Sequence, residues 1–282
     1  MRVADAMTPR SEVVTVAVPG TRDDVLEYLQ EREFSSVPVI KETDEGEQFR
    51  GIVTREALID QPDEDQLALL AEEVPTTTAD ADLTEVAALM VESGTRRVPV
   101  VDGQLEGIVT ITDVIHAIAS GDADGDQEVG ELAGRGVNCV FAETPLTVAE
   151  RELSHADVPY GVVLDRGGEM CGILTEVDVI EVARVVEGEA DTGESLADED
   201  DDWMWEGIKA VGNRYMPTRN VEIPAEPVSA FMSDDLVTLT RHRTAREAAQ
   251  LMIDNDIEQI PLVSGDHLDG IVQDVDLLRG LA

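Results

Sequence analysis

The sequence predicts an α/β protein made of four similar β-α-β-β-α units, and three observations support this prediction. A block recurs in which a proline within an apolar run is followed by a polar turn and then by glycine with two aliphatic residues. Apolar residues at helical spacing precede the block. A second apolar helical stretch follows it. Self-similarity at a regular spacing is typical of a protein built from structural repeats.

The block occurs four times. Its proline segments are Val37-Pro38-Val39, Val98-Pro99-Val100, Val158-Pro159-Tyr160 and Ile260-Pro261-Leu262. Its glycine segments begin at Gly51, Gly107, Gly172 and Gly270. The prolines are 61, 60 and 102 residues apart, which predicts three adjoining repeats and a fourth that follows an insertion.

Repeat two shows the local signals of each element. One apolar helical face is formed by Leu83, Val86, Ala87, Leu89 and Met90. Two β-branched runs flank Asp102-Gly103, which predicts a hairpin. A second helix is predicted over 113–119, with Thr112 or Asp113 as its cap. Because sheets of two or three strands cannot bury a face alone, the units are expected to pair.

These blocks resemble the cystathionine-β-synthase (CBS) domain, which pairs into two-repeat Bateman modules. The resemblance rests on Val3-Ala-Asp-Ala-Met-Thr-Pro, on Val228-Ser-Ala-Phe-Met-Ser and on the four Pro…Gly blocks. It implies CBS repeats at 1–60, 66–122, 128–186 and 225–282, paired as two Bateman modules at 1–122 and 128–282. The four-repeat layout is similar to the gamma subunit of AMP-activated protein kinase and its archaeal relatives.

The insertion at 187–224 contains the acidic run Asp198–Asp202 and both tryptophans, Trp203 and Trp205. Two interpretations remain open. The tryptophans cover an edge of the second module, or they dock a partner or a second subunit, since tryptophan is enriched at interfaces.

The charge of the chain is strongly acidic. Asp and Glu number 61 against 20 Lys and Arg, which gives a net charge of −41, and only Lys41 and Lys209 are lysines. An acidic, lysine-poor chain with 43% apolar residues resembles cytosolic proteins of salt-accumulating halophilic archaea. Molar salt screens carboxylate repulsion to within about 3 Å, so such a surface stays folded there.

The same charge excludes several classes of function. It opposes sequence-independent binding of nucleic acid and docking on anionic lipid. No apolar run approaches about 20 residues and no signal peptide is recognised, so we expect a cytoplasmic protein. Cys139 and Cys171 are too few for a disulfide framework.

The resemblance implies ribose-binding positions at the Thr and Asp of Gly-h-h-Thr-x-x-Asp, where h is aliphatic. Repeat two offers Thr110 and Asp113, and repeat three offers Thr175 and Asp178. Repeat four keeps Asp276 but has Gln273 for Thr. Repeat one has Thr54 but Ala57 for Asp, which predicts a lost site. The alternative for each aspartate is a helix N-terminal carboxylate without a ligand.

The family's phosphate contacts often come from residues just before the proline. Repeat two has Arg96-Arg97 there, which suits a bidentate contact with phosphate. The alternative is a surface pair bonded to nearby carboxylates. The other repeats offer Ser35-Ser36, Ala156-Asp157 and Glu258-Gln259.

A second cationic cluster comprises Arg241, His242, Arg243 and Arg246 in repeat four. It could contact phosphate, or it could hold the two modules together through salt bridges. Thr15, Thr76 and Thr238, on the predicted first strands, occupy positions that line the cleft in relatives. Their alternative role is ordinary β-propensity.

No pattern predicts catalysis or a metal site. Asp122–Asp126 resembles the start of a calcium loop, but Gln127 and Ala133 break that pattern, so an acidic linker is expected. No nucleophile motif, phosphate-binding Gly-Lys-Ser/Thr loop or dinucleotide motif is present. We therefore expect a protein that is not an enzyme.

The hypothesis that best fits the repeats is a regulatory protein that binds AMP, ADP or ATP, forms a homodimer and controls an unidentified partner. Binding would shift the angle of the paired repeats and hence the affinity for that partner. The alternatives are a sensor of S-adenosylmethionine, a Mg²⁺-responsive interaction module and a scaffold with vacant clefts. No resident cofactor or metal is expected.

Overall fold

The computed structural model of the protein describes residues 1–31, 36–43, 46–54, 57–58, 61, 64–156, 158–182, 184–187, 208–211, 214–217, 219–265 and 267–281. The chain forms two compact units. Unit 1 comprises Met1–Arg135, Thr238–Val263 and Asp269–Ala282, and unit 2 comprises Gly136–Val237 and Ser264–Leu268. Repeats one and two, the start of repeat three and most of repeat four therefore belong to unit 1, whereas the rest of repeat three belongs to unit 2.

Repeats one and two show the expected mixture of small sheets and helices. Repeat one contains α1 (Val3–Ala6), β1 (Thr8–Pro9), β2 (Val16–Val18), α2 (Arg22–Glu31), β3 (Ser36–Thr43) and β4 (Gly46–Thr54). Repeat two contains α3 (Leu67–Leu70), α4 (Leu83–Ser93), β5 (Arg97–Asp102), β6 (Gln104–Thr110) and α5 (Ile111–Ser120).

The second half repeats this order. Repeat three contains α6 (Val129–Leu132), β7 (Cys139–Phe141), α7 (Leu146–Ala156), β8 (Tyr160–Leu164), β9 (Met170–Thr175) and α8 (Glu176–Val182). Repeat four contains a 3-10 turn (Val228–Ala230), α9 (Ala245–Asn255), β14 (Gln259–Ser264), β15 (His267–Gln273) and α10 (Asp274–Arg279). The predicted α/β class with four repeats is confirmed.

The described residues of the insertion and of the segment just before it form two antiparallel strand pairs. They are formed by β10 (Arg184–Glu187) with β13 (Arg219–Glu222) and by β11 (Ile208–Val211) with β12 (Arg214–Pro217). The acidic run at 198–202 and the tryptophans at 203 and 205 lie outside the described residues.

Each repeat places a first strand, or a single bridge, parallel to the first strand of an antiparallel hairpin. In repeat one, β2 runs parallel to β3 and β3 pairs antiparallel with β4. In repeats two and four the first strand is reduced to one bridge, Thr77–Val100 and Leu239–Leu262. The predicted turn at Asp102-Gly103 is confirmed, with Gly103 at a φ of 72°, a conformation that favours glycine.

The strand register of repeat three corrects the alignment of the repeats. Val162 pairs with Ile173, as Pro99 pairs with Ile108 in repeat two. The counterpart of Pro99 is therefore Val162 and not Pro159, so the alignment through Val158-Pro159-Tyr160 is wrong by three residues.

The spacing between the helix and the hairpin supports this corrected alignment. The helices α4 and α7 both have 11 residues, and the hairpin starts at the same distance after each. The extra residues of repeat three lie instead in the longer β8–β9 turn. The positions of Arg96 and Arg97 are thus occupied by Pro159 and Tyr160. The prediction that Ala156-Asp157 stand there is wrong, and residue 157 itself lies outside the described residues.

A single helical turn leads into each repeat and docks on another repeat. We call these α1, α3, α6 and the 3-10 turn at 228–230 the leader turns. The leader of repeat one donates from Val3 N–H to the carbonyl of Ala81, and that of repeat two from Leu67 N–H to that of Gly20, at 3.0 and 3.1 Å. Repeats one and two thereby exchange their leaders.

The leaders of repeats three and four follow the same rule. Within unit 1, Val129 N–H donates to the carbonyl of Arg243 at 2.8 Å, so the leader of repeat three docks on repeat four. Within unit 2, Val228 N–H donates to the carbonyl of Thr144 at 2.9 Å, so the leader of repeat four docks on repeat three. Repeats one and two thus exchange their leaders within unit 1, and each leader contact of repeats three and four lies within a single unit.

Beyond each leader the chain pairs with the hairpin strand that carries the repeated glycine. The bridges join Thr8 to Ile108, Glu72 to Ile52, Gly134 to Ile271 and Ser233 to Ile173. A Cβ at Gly107 would lie 2.4 Å from the carbonyl oxygen of Thr8, and one at Gly51 would lie 2.5 Å from that of Glu72. The repeated glycine therefore provides the space that the crossing backbone needs.

Repeats two and four share one apolar core within unit 1. Helix α5 packs against α9, and α10 packs against both α4 and α5. The largest fully buried members of this core include Leu83, Met90, Ile118, Ile260 and Leu277. Repeats one and three each have a smaller core of their own.

Several features are absent from the part of the chain that the structure describes. No helix there has the length and apolar character that crossing a membrane requires. The same residues contain no group of three or more His, Cys, Asp and Glu side chains arranged to hold a metal ion. Cys139 and Cys171 are both free.

We predict that Gly107→Ala destabilises the protein by about 1–3 kcal/mol, because the new methyl group would displace the backbone at Thr8. Gly136→Ala is the matched control, since its Cβ would have no heavy atom within 4 Å, and its effect should stay within about 0.5 kcal/mol. Urea unfolding at constant molar salt measures both changes. Equal effects of the two substitutions would contradict the role assigned to the repeated glycine.

Candidate functional site

Thr110 and Asp113 form a capping box at the start of α5. The backbone N–H and the hydroxyl of Thr110 both donate to Oδ2 of Asp113, at 2.7 and 2.8 Å. The N–H of Asp113 donates weakly to the Thr110 hydroxyl oxygen at 3.4 Å. Both donors of Thr110 use Oδ2 of Asp113, so Oδ1 of Asp113 takes no part in the cap.

Thr175 and Asp178 repeat this geometry at the start of α8. The N–H and hydroxyl of Thr175 both donate to Oδ2 of Asp178 at 2.7 Å. Helix capping, the alternative role for these aspartates, is therefore present in both repeats. It also fixes the orientation of each carboxylate, which a binding role would require.

Burial raises the pKa of Asp113 above its ordinary value. The hydrogen bonds from Thr110 and the nearby His116 oppose this effect without cancelling it. A partly desolvated carboxylate interacts more strongly with hydroxyl donors than an exposed one does. The cost is that the carboxylate takes up a proton more readily as the pH falls.

Repeats one and four lack this arrangement. Asp276 is only 4% exposed, its Oδ2 accepts from the N–H of Gln273 at 2.9 Å, and its Oδ1 accepts from Arg279. In repeat one the N–H of Ala57 donates to Oγ1 of Thr54 at 3.0 Å, which keeps the cap without a carboxylate. Repeats two and three therefore have the more open sites.

Arg96 is held by two carboxylates of repeat four. Its Nη1 and Nη2 donate to the two carboxylate oxygens of Asp274, at 3.3 and 2.5 Å, and Nη2 also lies 2.9 Å from Oε1 of Glu258. Asp274 is 5% exposed. Burial lowers the pKa of Arg96, but Asp274 and Glu258 outweigh burial and the net change is a rise. Bonding to carboxylates, the alternative for this residue, is thus what the structure shows.

Arg97 is different from its neighbour. It is half-buried, and among the described residues it makes no ion pair. Burial and the adjacent Arg96 lower its pKa, with Glu258 acting in the opposite direction. Arg97 lies directly across the β5–β6 ladder from Thr110, so the two side chains share one face of the sheet.

The position of Arg97 holds a different residue in each repeat. Register places Ser36 opposite Thr54 in repeat one and Tyr160 opposite Thr175 in repeat three. The hydroxyl of Ser36 is buried without a hydrogen-bond partner in the described structure. In repeat four Gln259 stands at the same distance after its helix. Only repeat two therefore has a cation at this position.

The threonines assigned to the first strands lie at or just before them. The hydroxyl of Thr15 accepts from Nη2 of Arg10 at 3.0 Å, and Arg10 also pairs with Glu47. Thr76 is exposed and Thr238 is half-exposed, each one residue before its strand bridge. In repeat three the register places Cys139 at this position.

The second cationic cluster contacts the leader of repeat three. Arg241 donates to the carbonyl of Gly130 (2.7 Å), His242 contacts Glu128 (3.1 Å) and Arg246 pairs with Asp126 (2.9 Å). Arg243 instead pairs with Glu247 inside repeat four (2.7 Å). These contacts favour a structural role, in which the cluster holds residues 126–130 by salt bridges and hydrogen bonds. They do not favour a role in contacting phosphate. Asp126 belongs to the expected acidic linker.

The sequence model of the CBS domain matches residues 3–64, 68–120, 129–184 and 228–282, which is well over half of the chain. The chain belongs to the CBS domain family.

Two curated relatives of this chain come from Methanocaldococcus jannaschii. The uncharacterized protein MJ1404 is 24% identical over 282 residues, covering 99% of this chain and 62% of the relative. The uncharacterized protein MJ1225 is 27% identical over 185 residues, covering 60% of this chain and 65% of the relative. The chain thus spans less than two thirds of the length of these relatives.

Two solved structures match the whole chain and are themselves covered completely. A crystal structure of an uncharacterized conserved protein from Pyrococcus horikoshii is 27% identical with a TM-score of 0.70. The crystal structure of MJ1225, described as a candidate archaeal homolog of g-AMPK, is 20% identical with a TM-score of 0.67. The second likeness supports the fold alone.

The sequence did not indicate several residues that shape the CBS sites. Asp274 determines whether Arg96 is engaged, but that contact joins residues 178 positions apart in the chain. Arg279 engages Asp276 from three residues away on the same helix, a spacing that the sequence offered as a signal. Tyr160 and Cys139 could have been located by aligning repeat three on Gly172 and on the end of its helix instead of on Pro159. The proline was misleading because it lies outside strand β8.

We predict that Asp274→Asn destabilises the CBS protein by about 1–3 kcal/mol, because it leaves Arg96 facing a neutral, largely buried group. Glu143→Gln is the control, since its pair with Arg166 is exposed and should contribute at most about 0.5 kcal/mol. Chemical unfolding of the full chain at constant salt gives both values. An Asp274→Asn protein as stable as the Glu143→Gln protein would refute a structural role for the Arg96–Asp274 pair.

Proposed function

We propose that the chain is a non-catalytic regulatory protein that binds adenine nucleotides between paired CBS repeats and signals their level to a partner protein. The observation that carries this proposal is Arg97, a half-buried guanidinium opposite Thr110, which in turn orients Asp113. The AMP, ADP and ATP class fits because it combines ribose hydroxyls with phosphate.

Each group in the repeat-two site has a chemical role toward such a ligand. A carboxylate accepts hydrogen bonds from both ribose hydroxyls, and Oδ1 of Asp113 is not used by the helix cap. Arg97 supplies planar donors and a positive charge that suit phosphate oxygens. The neighbouring Arg96 and Glu258 act on the pKa of Arg97 in opposite directions.

The acidic net charge of the protein supports the assignment of Arg97 as the phosphate contact. With a net charge of −41, most of the surface repels a phosphate. Most of the cations described above are already paired with carboxylates, whereas Arg97 forms no ion pair within the described residues. A partly desolvated arginine gains more from an incoming anion than a solvated one does.

A route for signalling runs from this site to repeat four. Arg96 precedes Arg97 in the chain and is bonded to Asp274, the first residue of α10. A phosphate drawn to Arg97 also attracts Arg96, in competition with Asp274 and Glu258. Ligand binding would thereby bias the contact between repeats two and four, which is a differential interaction of the kind that a population shift requires.

We predict that the full chain binds AMP, ADP or ATP in molar potassium chloride and that Asp113→Asn weakens binding about 10- to 100-fold. The weakening corresponds to the loss of charge-assisted hydrogen bonds to the ribose. Glu247→Gln is the matched control, because Glu247 forms an equivalent capping box with Thr244 on α9. Isothermal titration calorimetry measures all three proteins.

The proposal fails if none of the three nucleotides binds to the wild-type chain. It also fails if Asp113→Asn and Glu247→Gln have equal effects on affinity, since the aspartate would then act only as a cap.

We predict that nucleotide affinity is full at neutral pH and is lost as the pH falls through the raised pKa of Asp113, before the ordinary value of 3.8 is reached. The sign follows because only the carboxylate accepts from both ribose hydroxyls. Comparison with Asp113→Asn removes the titration of the ligand's own phosphate from the measurement. Identical pH profiles for the two proteins would contradict the prediction.

A further inference from the structure

We infer that the repeat-three site takes an adenine nucleoside without phosphate, whereas the repeat-two site takes a phosphorylated one. This inference rests on the proposed function and assigns a ligand class to each site. It follows from the residue that lies opposite the site threonine in the hairpin. This residue is Arg97 in repeat two and Tyr160 in repeat three.

The ribose-binding half of the two sites is the same. Thr175 and Asp178 reproduce the capping box of Thr110 and Asp113, with hydrogen bonds that agree within 0.1 Å. In both repeats Oδ2 takes the two threonine donors. The structure therefore gives no reason for repeat three to lose the hydroxyl contacts.

The phosphate-binding half differs. Tyr160 stands across the ladder from Thr175, in the place that Arg97 takes opposite Thr110. Tyr160 is 5% exposed and carries no charge at neutral pH. The residue before it is Pro159, which has no backbone N–H to offer an anion.

The cations of unit 2 with described side chains lie elsewhere. Arg166 is at the β8–β9 turn and pairs with Glu143, and Arg151 and His155 are on α7. His267 begins β15. None of these occupies β8, so within the described part of unit 2 the strand position beside Thr175 has no positive charge.

Energetics then separate the two ligand classes. A phosphate carries about 1.5 to 2 negative charges near neutral pH. Placing it beside a buried tyrosine removes water, and no described side chain of unit 2 on this strand supplies a counter-charge, which is unfavourable. A nucleoside without phosphate avoids that cost.

The test isolates each site in the full chain. Asp113→Asn leaves the repeat-three site, and Asp178→Asn leaves the repeat-two site; adenosine and AMP are titrated into each protein by calorimetry in molar potassium chloride. We expect Asp113→Asn to bind adenosine at least about 10-fold more tightly than AMP, and Asp178→Asn to show the reverse preference. Urea unfolding confirms that both variants are folded.

The possible failures are distinguishable. An Asp113→Asn protein that prefers AMP, or that binds neither compound while the wild type binds AMP, overturns this inference and leaves the proposed function intact. A wild-type chain that binds no adenine compound overturns both. In the variant Tyr160→Phe, the adenosine preference should persist, because the absence of positive charge and not the tyrosine hydroxyl sets it.

Discussion

The rest of the structure depends on places where one backbone segment crosses close to a glycine of a hairpin strand. At Gly51, Gly107 and Gly270 a Cβ would lie 2.4 to 2.9 Å from a carbonyl oxygen of the crossing segment. That passage lets each leader turn reach across to its partner repeat and cap the first helix there. Single repeats with two or three short strands gain a partner in this way, and the hairpin ends that carry the site residues are held in place.

The ion pairs of unit 1 show which charged groups are structural and which remain for a ligand. The cluster at 241–246 clamps the segment before repeat three, and Arg96 is bonded to the buried carboxylate of Asp274. Asp276 is engaged by Arg279. What remains in repeat two is Arg97 with the oriented carboxylate of Asp113. In a chain with a net charge of −41, most of the arginines named here bond to carboxylates or carbonyls of the protein itself.

The sequence was sufficient for much that depends on local pattern. Helical spacing from Leu83 to Met90 and the turn at Asp102-Gly103 are present as predicted. The predicted cap at Thr112 or Asp113 is wrong, because the helix begins two residues earlier, at Ile111, and Thr110 caps it. The sequence was insufficient where partners are distant in the chain, as with Arg96 and Asp274, which lie 178 residues apart. It was misleading in repeat three, because Pro159 imitates the repeated proline although the register assigns that place to Val162.

The central claim is that adenine compounds occupy the sites of repeats two and three with different requirements for phosphate. The most direct measurement is mass spectrometry of the small molecules released from purified full-length chain and from Asp113→Asn, both prepared in molar potassium chloride. The account predicts a phosphorylated adenine nucleotide from the wild type that is lost from Asp113→Asn, while an adenine nucleoside without phosphate is retained. Release of the same nucleotide in equal amount from both proteins would contradict it.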